Sequence, residues 1–309
     1  MNVVPVFILI LIGWVTAKTG ILKQETGDAL GEFVFKIAVP MLIFRTLADA
    51  HFEGVSPFRL WTAYFAGVAV TWTVGHFVAT RLFKRDAKVG VITGMSGSFA
   101  NNVFIGLPLV DHMVGKDGLV AISILLAIHL PLMMVIGTIL MESAAAKVDG
   151  GQKRSVGAIL KQVGLNLAQN PLVIALIAGV IFNLSGIVLT PAIGIVVNQL
   201  AAAASPVALL SIGMALTRYP IRGDLGLSGA SAALKLLLLP AMVYAITHLM
   251  GLPRDWSAAL VLTSSVPTGI NAWLIAQRFR SGHSLAASVI SITTAFGVFT
   301  VSFWAWLLS

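Results

Sequence analysis

Long apolar runs alternate with short polar stretches along the whole chain. Ten such runs can be marked, over roughly 3–17, 29–47, 59–82, 89–110, 119–141, 171–184, 193–216, 227–249, 256–279 and 285–308. Most approach the ~20 residues an α-helix needs to cross ~30 Å of hydrocarbon. The pattern predicts an all-α integral membrane protein with ten transmembrane helices, of which the first and sixth are short. One polar connection is long, over 144–169 (AAAKVDGGQKRSVGAILKQVGLNLAQ). Its Gly-Gly pair and mixed charges predict a flexible linker running into an amphipathic stretch at the membrane surface. It separates two parts, 1–143 and 170–309.

Those two parts repeat each other. Pro5, Gly13, Gly20-Ile21 and Pro40 recur 166 residues later as Pro171, Gly179, Gly186-Ile187 and Pro206. Further on the spacing becomes 169: Arg85, Asp86, Ser96 and Asn102 fall on Arg254, Asp255, Ser265 and Asn271. The change implies a three-residue insertion between the two sets. Five helices per copy is an odd number, so the copies are predicted to lie upside down relative to each other, as inverted repeats. The fourth and ninth runs share a further feature. Each is broken mid-way, by SGSFANN at 96–102 and by SSVPTGIN at 264–271, with Pro108 just after one break and Pro267 inside the other. Gly, Ser, Asn and Pro do not continue a regular apolar helix. Inside a membrane, unwound backbone survives only where protein or a water-filled cavity satisfies its polar groups. Paired breaks in two halves point to a transport site.

Composition agrees with the pattern. With 58% hydrophobic residues, 10% charged and a mean hydropathy of +0.94, the chain has too little polar surface for a soluble domain. The net charge of +8 is not a nucleic-acid footprint, because the basic residues sit between apolar runs rather than on one face of a folded domain. Lys and Arg instead report orientation. Fourteen lie in one set of loops (18, 23, 81, 84, 85, 88, 147, 153, 154, 161, 218, 222, 278 and 280) and four in the other (45, 59, 116 and 254). The first set is expected to be cytoplasmic, with both termini extracytoplasmic. The opening run ends in Val-Thr-Ala, like a signal-peptide cleavage site, yet no positive charge precedes it, so it is read as a retained helix. With no cysteine there is no disulfide, thiolate metal site or Cys nucleophile, and no metal or cofactor is expected.

The breaks offer Ser98, Asn101, Asn102, Thr268 and Asn271, and no carboxylate. A buried cation needs a compensating charge, whereas helix N-termini favour anions through free N–H groups and the positive dipole end. The plain alternative is that Gly, Ser and Asn only permit close helix packing. Lys235 lies about ten residues, hence ~15 Å, into an apolar run. Such a charge is costly and usually functional; alternatively its stem reaches polar backbone. His129 lies as deep, just before Pro131, and is a candidate for proton coupling; the plainer reading makes it a neutral partner to a neighbouring helix's backbone. Glu32 and Lys36 suit an i,i+4 pair, Glu142 an interfacial site, and Trp61, Trp256, Trp304 and Trp306 an interfacial belt.

VPMLIFR, FIGLPL, NPLVIALIAG, SPVALLSIGMALTR and SVPTGINAWLIAQRF, in that order, resemble bacterial members of the auxin efflux carrier family, relatives of the plant PIN-type carriers and more distantly of bile-acid sodium symporters. The resemblance covers essentially the whole chain. It implies ten helices in two inverted repeats, the fourth and ninth crossing at the substrate site. It further implies a transport domain of helices 3, 4, 5, 8, 9 and 10 moving elevator-like against a scaffold of helices 1, 2, 6 and 7, which also mediates homodimerisation. The family's crossover prolines fall on Pro108 and Pro267 and its ninth-helix Asn on Asn271. The substrate-binding candidates are then Ser98, Asn101, Asn102, Pro108, Pro267, Thr268, Gly269 and Asn271, with Lys235 and His129 for charge or proton coupling. At 100–102 the chain has ANN where something closer to Arg-Ser-Asn is expected, which leaves substrate identity open. It also lacks the large central cytoplasmic loop of the plant type.

The expected function is a secondary carrier of a small organic anion in the bacterial inner membrane, by family analogy a mono- or dicarboxylate such as malonate or malate. An aromatic carboxylate carrier and an anion channel are the alternatives. An intramembrane hydrolase would need a nucleophile and base or metal ligands at depth, and His76, His129 and His248 show no such spacing.

Overall fold

The computed structural model describes residues 3–50, 56–149 and 156–308. Among them the chain has fifteen α-helices, four π-helical turns and one 3-10 turn; the single extended pairing is an isolated bridge between Ala100 and Thr268. In order these are α1 (Val4–Lys18), α2 (Gln24–Phe33), α3 (Val39–Ala48), α4 (Pro57–Phe77), α5 (Ala87–Ser98), α6 (Leu107–Met113) and α7 (Lys116–Asp149). After α8 (Val156–Ala168) come α9 (Pro171–Ser185), α10 (Pro191–Ala215), α11 (Leu225–Ala233), α12 (Leu239–Leu249), α13 (Arg254–Ser265), α14 (Asn271–Arg278) and α15 (His283–Leu308). Helical segments Lys116–Val148, Pro191–Arg218, Leu225–Leu249 and His283–Leu308 are each long and apolar enough to cross a membrane. Helices α1 and α9, at 15 residues each, are short, as the sequence suggested.

Helix boundaries obey local chemistry. The Asp86 and Asp224 carboxylates accept from Val89 N–H and Leu227 N–H, capping α5 and α11. Asn170 caps α9 just before Pro171, and Gly186, at φ 66°, closes its other end in the left-handed conformation. Three of the π turns, Val34–Ala38, Asn102–Gly106 and Leu234–Leu238, each lie just before a proline: Pro40, Pro108 and Pro240. A proline cannot donate to the carbonyl four residues back and clashes with it. Here those carbonyls belong to Lys36, Phe104 and Leu236, inside the widened turns. Pro131 and Pro206 lie within α7 and α10 without such a turn.

Helix α7 runs past the predicted end at 141 to Asp149, since the Ala144–Ala146 run is a strong helix former. The predicted amphipathic stretch forms α8. Gly150, Gly151, Lys153, Arg154 and the terminal Ser309 lie outside the described residues. Lys36 pairs with Glu32 at 2.6 Å on the surface, as predicted for that spacing.

Two packing features frame the site. Helix α1 lies directly on α10: a Cβ on Gly13 would overlap the Leu210 carbonyl, and one on Gly213 the Ile10 carbonyl. The other is the core itself. Every residue over 90–102 and over 257–269 is buried, so α5 and α13 beyond their first turns, and the chain leaving each, are enclosed on all sides. This all-round burial explains why both segments are built of Gly, Ala, Ser and Thr as well as apolar side chains, since small residues let backbones approach.

Candidate functional site: the paired helix breaks

Helix α5 stops at Ser98 and α13 at Ser265, and the next residues, Phe99 and Val266, are extended. The two extended pieces meet antiparallel. The Asn101 N–H donates to the Pro267 carbonyl at 3.0 Å, and the Gly269 N–H to the Phe99 carbonyl at 2.8 Å. Thr268 adds two further links: its hydroxyl donates to the Ser96 carbonyl at 2.8 Å, and its N–H to Thr293 Oγ1 at 3.0 Å. The polar backbone exposed by each break is thus satisfied largely by the other, as an enclosed apolar setting demands. Gly269 makes the approach possible, because a Cβ there would lie 2.8 Å from the Phe99 ring.

The predicted site residues separate once their partners are known. Asn102, 2% exposed, uses both ends of its amide within the protein. Its Nδ2 donates to Tyr64 Oη at 3.2 Å and its Oδ1 accepts from Thr263 Oγ1 at 2.9 Å, tying α4, the π turn before α6 and α13 together. Gly106 leaves room for Thr263, which a Cβ there would overlap. Asn101 turns back to accept from Phe104 N–H at 3.4 Å, and Ser98 donates to the Gly94 carbonyl of its own helix at 2.8 Å. Asn271, at the first position of α14, is half-buried and makes no side-chain hydrogen bond among the described residues. It is the one predicted asparagine whose amide is uncommitted.

Pro108 does not sit at the pairing. It lines a cavity of about 350 Å³ beyond the break, between α6, α1 and α10, with Pro5, Asp111, Ser205 and Pro206 on the walls. There Ser205 Oγ donates to Asp111 Oδ2 at 3.2 Å.

Lys235 is fully buried in the π turn before α12, and its Nζ donates to the Ser264 carbonyl at 2.5 Å, in the last turn of α13. His129 of α7, 2% exposed, has the rings of Tyr64, Phe65 and Phe99 around it at centroid distances of 5.6, 6.2 and 5.1 Å. Its Nε2 has no hydrogen-bond partner, so the expected bond to a neighbouring backbone is not made through that atom. Through Phe99, His129 touches the first break.

Tyr64, Thr263 and Thr293 were not legible as site residues. Each carries an ordinary residue type inside an apolar run, and its partner lies between 25 and 161 positions away. Ser96 is a nearer miss: it stands in the repeated motif, and its buried hydroxyl has no partner.

Among proteins of known sequence, this chain is 26% identical over 309 residues to a Rhizobium meliloti protein named "Putative malonate transporter", covering 97% of this chain and 92% of the relative. It is 25% identical over 315 residues to an uncharacterized transporter of Methanocaldococcus jannaschii, covering 99% and 97%. It is 24% identical over 301 residues to the Escherichia coli uncharacterized transporter YfdV, covering 94% and 92%. The membrane transport protein family matches residues 1–305. Helices of membrane-crossing length, two buried breaks paired backbone to backbone and a family match over nearly the whole length lead to one conclusion: the chain belongs to the membrane transport protein family, that of the auxin efflux carriers.

Proposed function

We propose that this protein is a secondary carrier of a small organic anion, a mono- or dicarboxylate of the malonate or malate kind, working by alternating access. The observation that carries the reading is the antiparallel pairing of the two breaks, Asn101 to Pro267 and Gly269 to Phe99. It brings two helix interruptions, 169 residues apart in the sequence, to one enclosed place. Helix α14 starts there; the N–H groups of Ala272, Trp273 and Leu274 are taken by the Gly269 and Ile270 carbonyls, so what its first turn offers a carboxylate is the positive end of the helix dipole. Asn271 adds an uncommitted amide at that start. No Asp or Glu stands in either break to repel an anion. The relative named for malonate supports the substrate class.

In this reading the chain crosses the cytoplasmic membrane ten times as two inverted five-helix repeats, with both termini outside. The interrupted pairs α5–α6 and α13–α14 are the fourth and ninth crossings. They move with α4, α7, α11–α12 and α15 against a scaffold of α1, α2–α3, α9 and α10. The cavity between α6 and the α1–α10 pair lies along that boundary. The scaffold also joins two copies of the chain, consistent with exposed Ile174, Ile177, Ile181 and Leu184 recurring along α9. Thermal unfolding of the purified protein against malonate, malate and an aromatic carboxylate tests the substrate class. A small dicarboxylate should raise the midpoint as RT ln(1 + [L]/Kd) requires. Stabilisation by the aromatic acid alone would transfer the assignment to a larger substrate.

A further inference from the structure

The Lys235 contact falls at a chemically particular place. The last carbonyls of a helix lie past its hydrogen-bonded ladder and carry the negative end of its dipole. In carriers with broken helices, such half-helix ends and the unwound carbonyls beside them are where coupling cations coordinate. Here the end of α13 is occupied from within the chain. The hydroxyls of Ser264 and Ser265 turn back to the Val261 and Leu262 carbonyls at 2.7 and 2.8 Å, and the Ser264 carbonyl takes the Lys235 Nζ at 2.5 Å. The matching end of α5 is closed differently, by the neutral Thr268 hydroxyl on the Ser96 carbonyl and the Gly269 N–H on the Phe99 carbonyl. The position 169 residues before Lys235 is Ala66, so only one half carries the charge.

The aim of the side chain is encoded locally. Pro240 comes just after the Leu234–Leu238 π turn, and the extra residue in such a turn rotates the helix before it by about 100° against the helix after it. Among the described residues, the helices packed against this turn, α4, α5, α11, α12, α13 and α15, carry no Asp or Glu except Asp255, nine residues before Ser264 at the opposite end of α13. His129 of α7 is within electrostatic range and Ser264 of α13 is bonded to it.

Resting on the carrier reading of the breaks, we propose that Lys235 is a resident cation: its ammonium takes the place at the carboxyl end of α13 that an alkali-metal ion would take, and the protein binds its substrate without a sodium ion there. Lys235 is a positioning residue in this scheme, holding the end of α13 and the start of the second break in place.

The test is thermal unfolding of the full chain in detergent, titrated with NaCl against choline chloride at constant ionic strength. Wild type should show the same midpoint in both salts. Lys235→Ala, which opens a carbonyl-lined hole, should be lowered in choline and recover saturably with sodium. Lys235→Met, which refills the hole without charge, should be lowered and stay indifferent to the salt. Pro240→Ala, which relaxes the wide turn while keeping the lysine, should acquire a weaker sodium response, and serves if the Lys235 variants do not fold. Saturable stabilisation of wild type by sodium would overturn the proposal, as would a Lys235→Ala or Pro240→Ala protein with equal midpoints in both salts. No substrate or transport enters the readout, so a failure here leaves the carrier reading standing, and the reverse.

Discussion

Replacing Asn102 by Ala separates a clamp from a ligand. The substitution removes two hydrogen bonds, at 3.2 Å to Tyr64 and 2.9 Å from Thr263, across three helical elements. Side-chain bonds between helices inside membranes contribute ~0.6 kcal/mol each on average and up to ~1.7. Two of them therefore amount to about 1–3 kcal/mol. The upper end is expected, because Tyr64 Oη, on a residue with no exposed surface, is left without its partner. The assay is unfolding of wild type, Asn102→Ala, Tyr64→Phe and the double variant in one detergent. The two singles should each destabilise, and the double should lose less than their sum, since both remove the same bond. Asn102→Ala with wild-type stability and a selective loss of carboxylate binding would refute the clamp and return Asn102 to the substrate.

Asn271→Ala should behave in the opposite way, weakening binding of the small carboxylate by about 1–3 kcal/mol while the unfolding midpoint stays put; equal affinity by calorimetry would reduce Asn271 to packing. Gly13→Ala should push α1 off α10 at a cost of about 1–3 kcal/mol, and an unchanged midpoint would mean that the two helices are not so close. At the surface, the Arg85 guanidinium, 2.7 Å from Asp224, holds that carboxyl below its usual range, helped by the Leu227 N–H. A carboxyl lowered by folding adds stability above its unfolded pKa and loses it as pH falls through the folded value, so the effect should fade below about pH 4. Both side chains are partly exposed and screened, which limits it to ~0.5 kcal/mol. Arg85→Ala should flatten that acid limb of the stability profile, and an identical limb in both proteins would count against the pair.

The apolar pattern made most of the helices legible because the apolar runs are long against most of the polar stretches between them. Pro40, Pro108 and Pro240 could be recognised as disruptive residues, but a proline can kink, end or widen a helix, and only the surrounding packing selects the wide turn. The repeat spacing put Asn102 over Asn271 and so suggested equal roles. Their surroundings divide them: Asn102 meets Tyr64 and Thr263, which lie 38 and 161 residues away, while Asn271 meets no such pair. Lys235 was legible as a buried charge by its depth in an apolar run. Its partner was not, since Ser264 contributes a carbonyl, which every residue has. His129 invited a proton role, yet its aromatic surroundings depend on Phe99, whose position is set by the pairing of the breaks.

The most direct test of a carrier built on those breaks is exchange in proteoliposomes with labelled malonate. Uptake should saturate with external malonate and accelerate when unlabelled malonate is loaded inside, because a reorienting site returns faster when occupied. A non-saturating, voltage-driven malonate current indifferent to internal substrate would contradict it and make the paired breaks the wall of a channel.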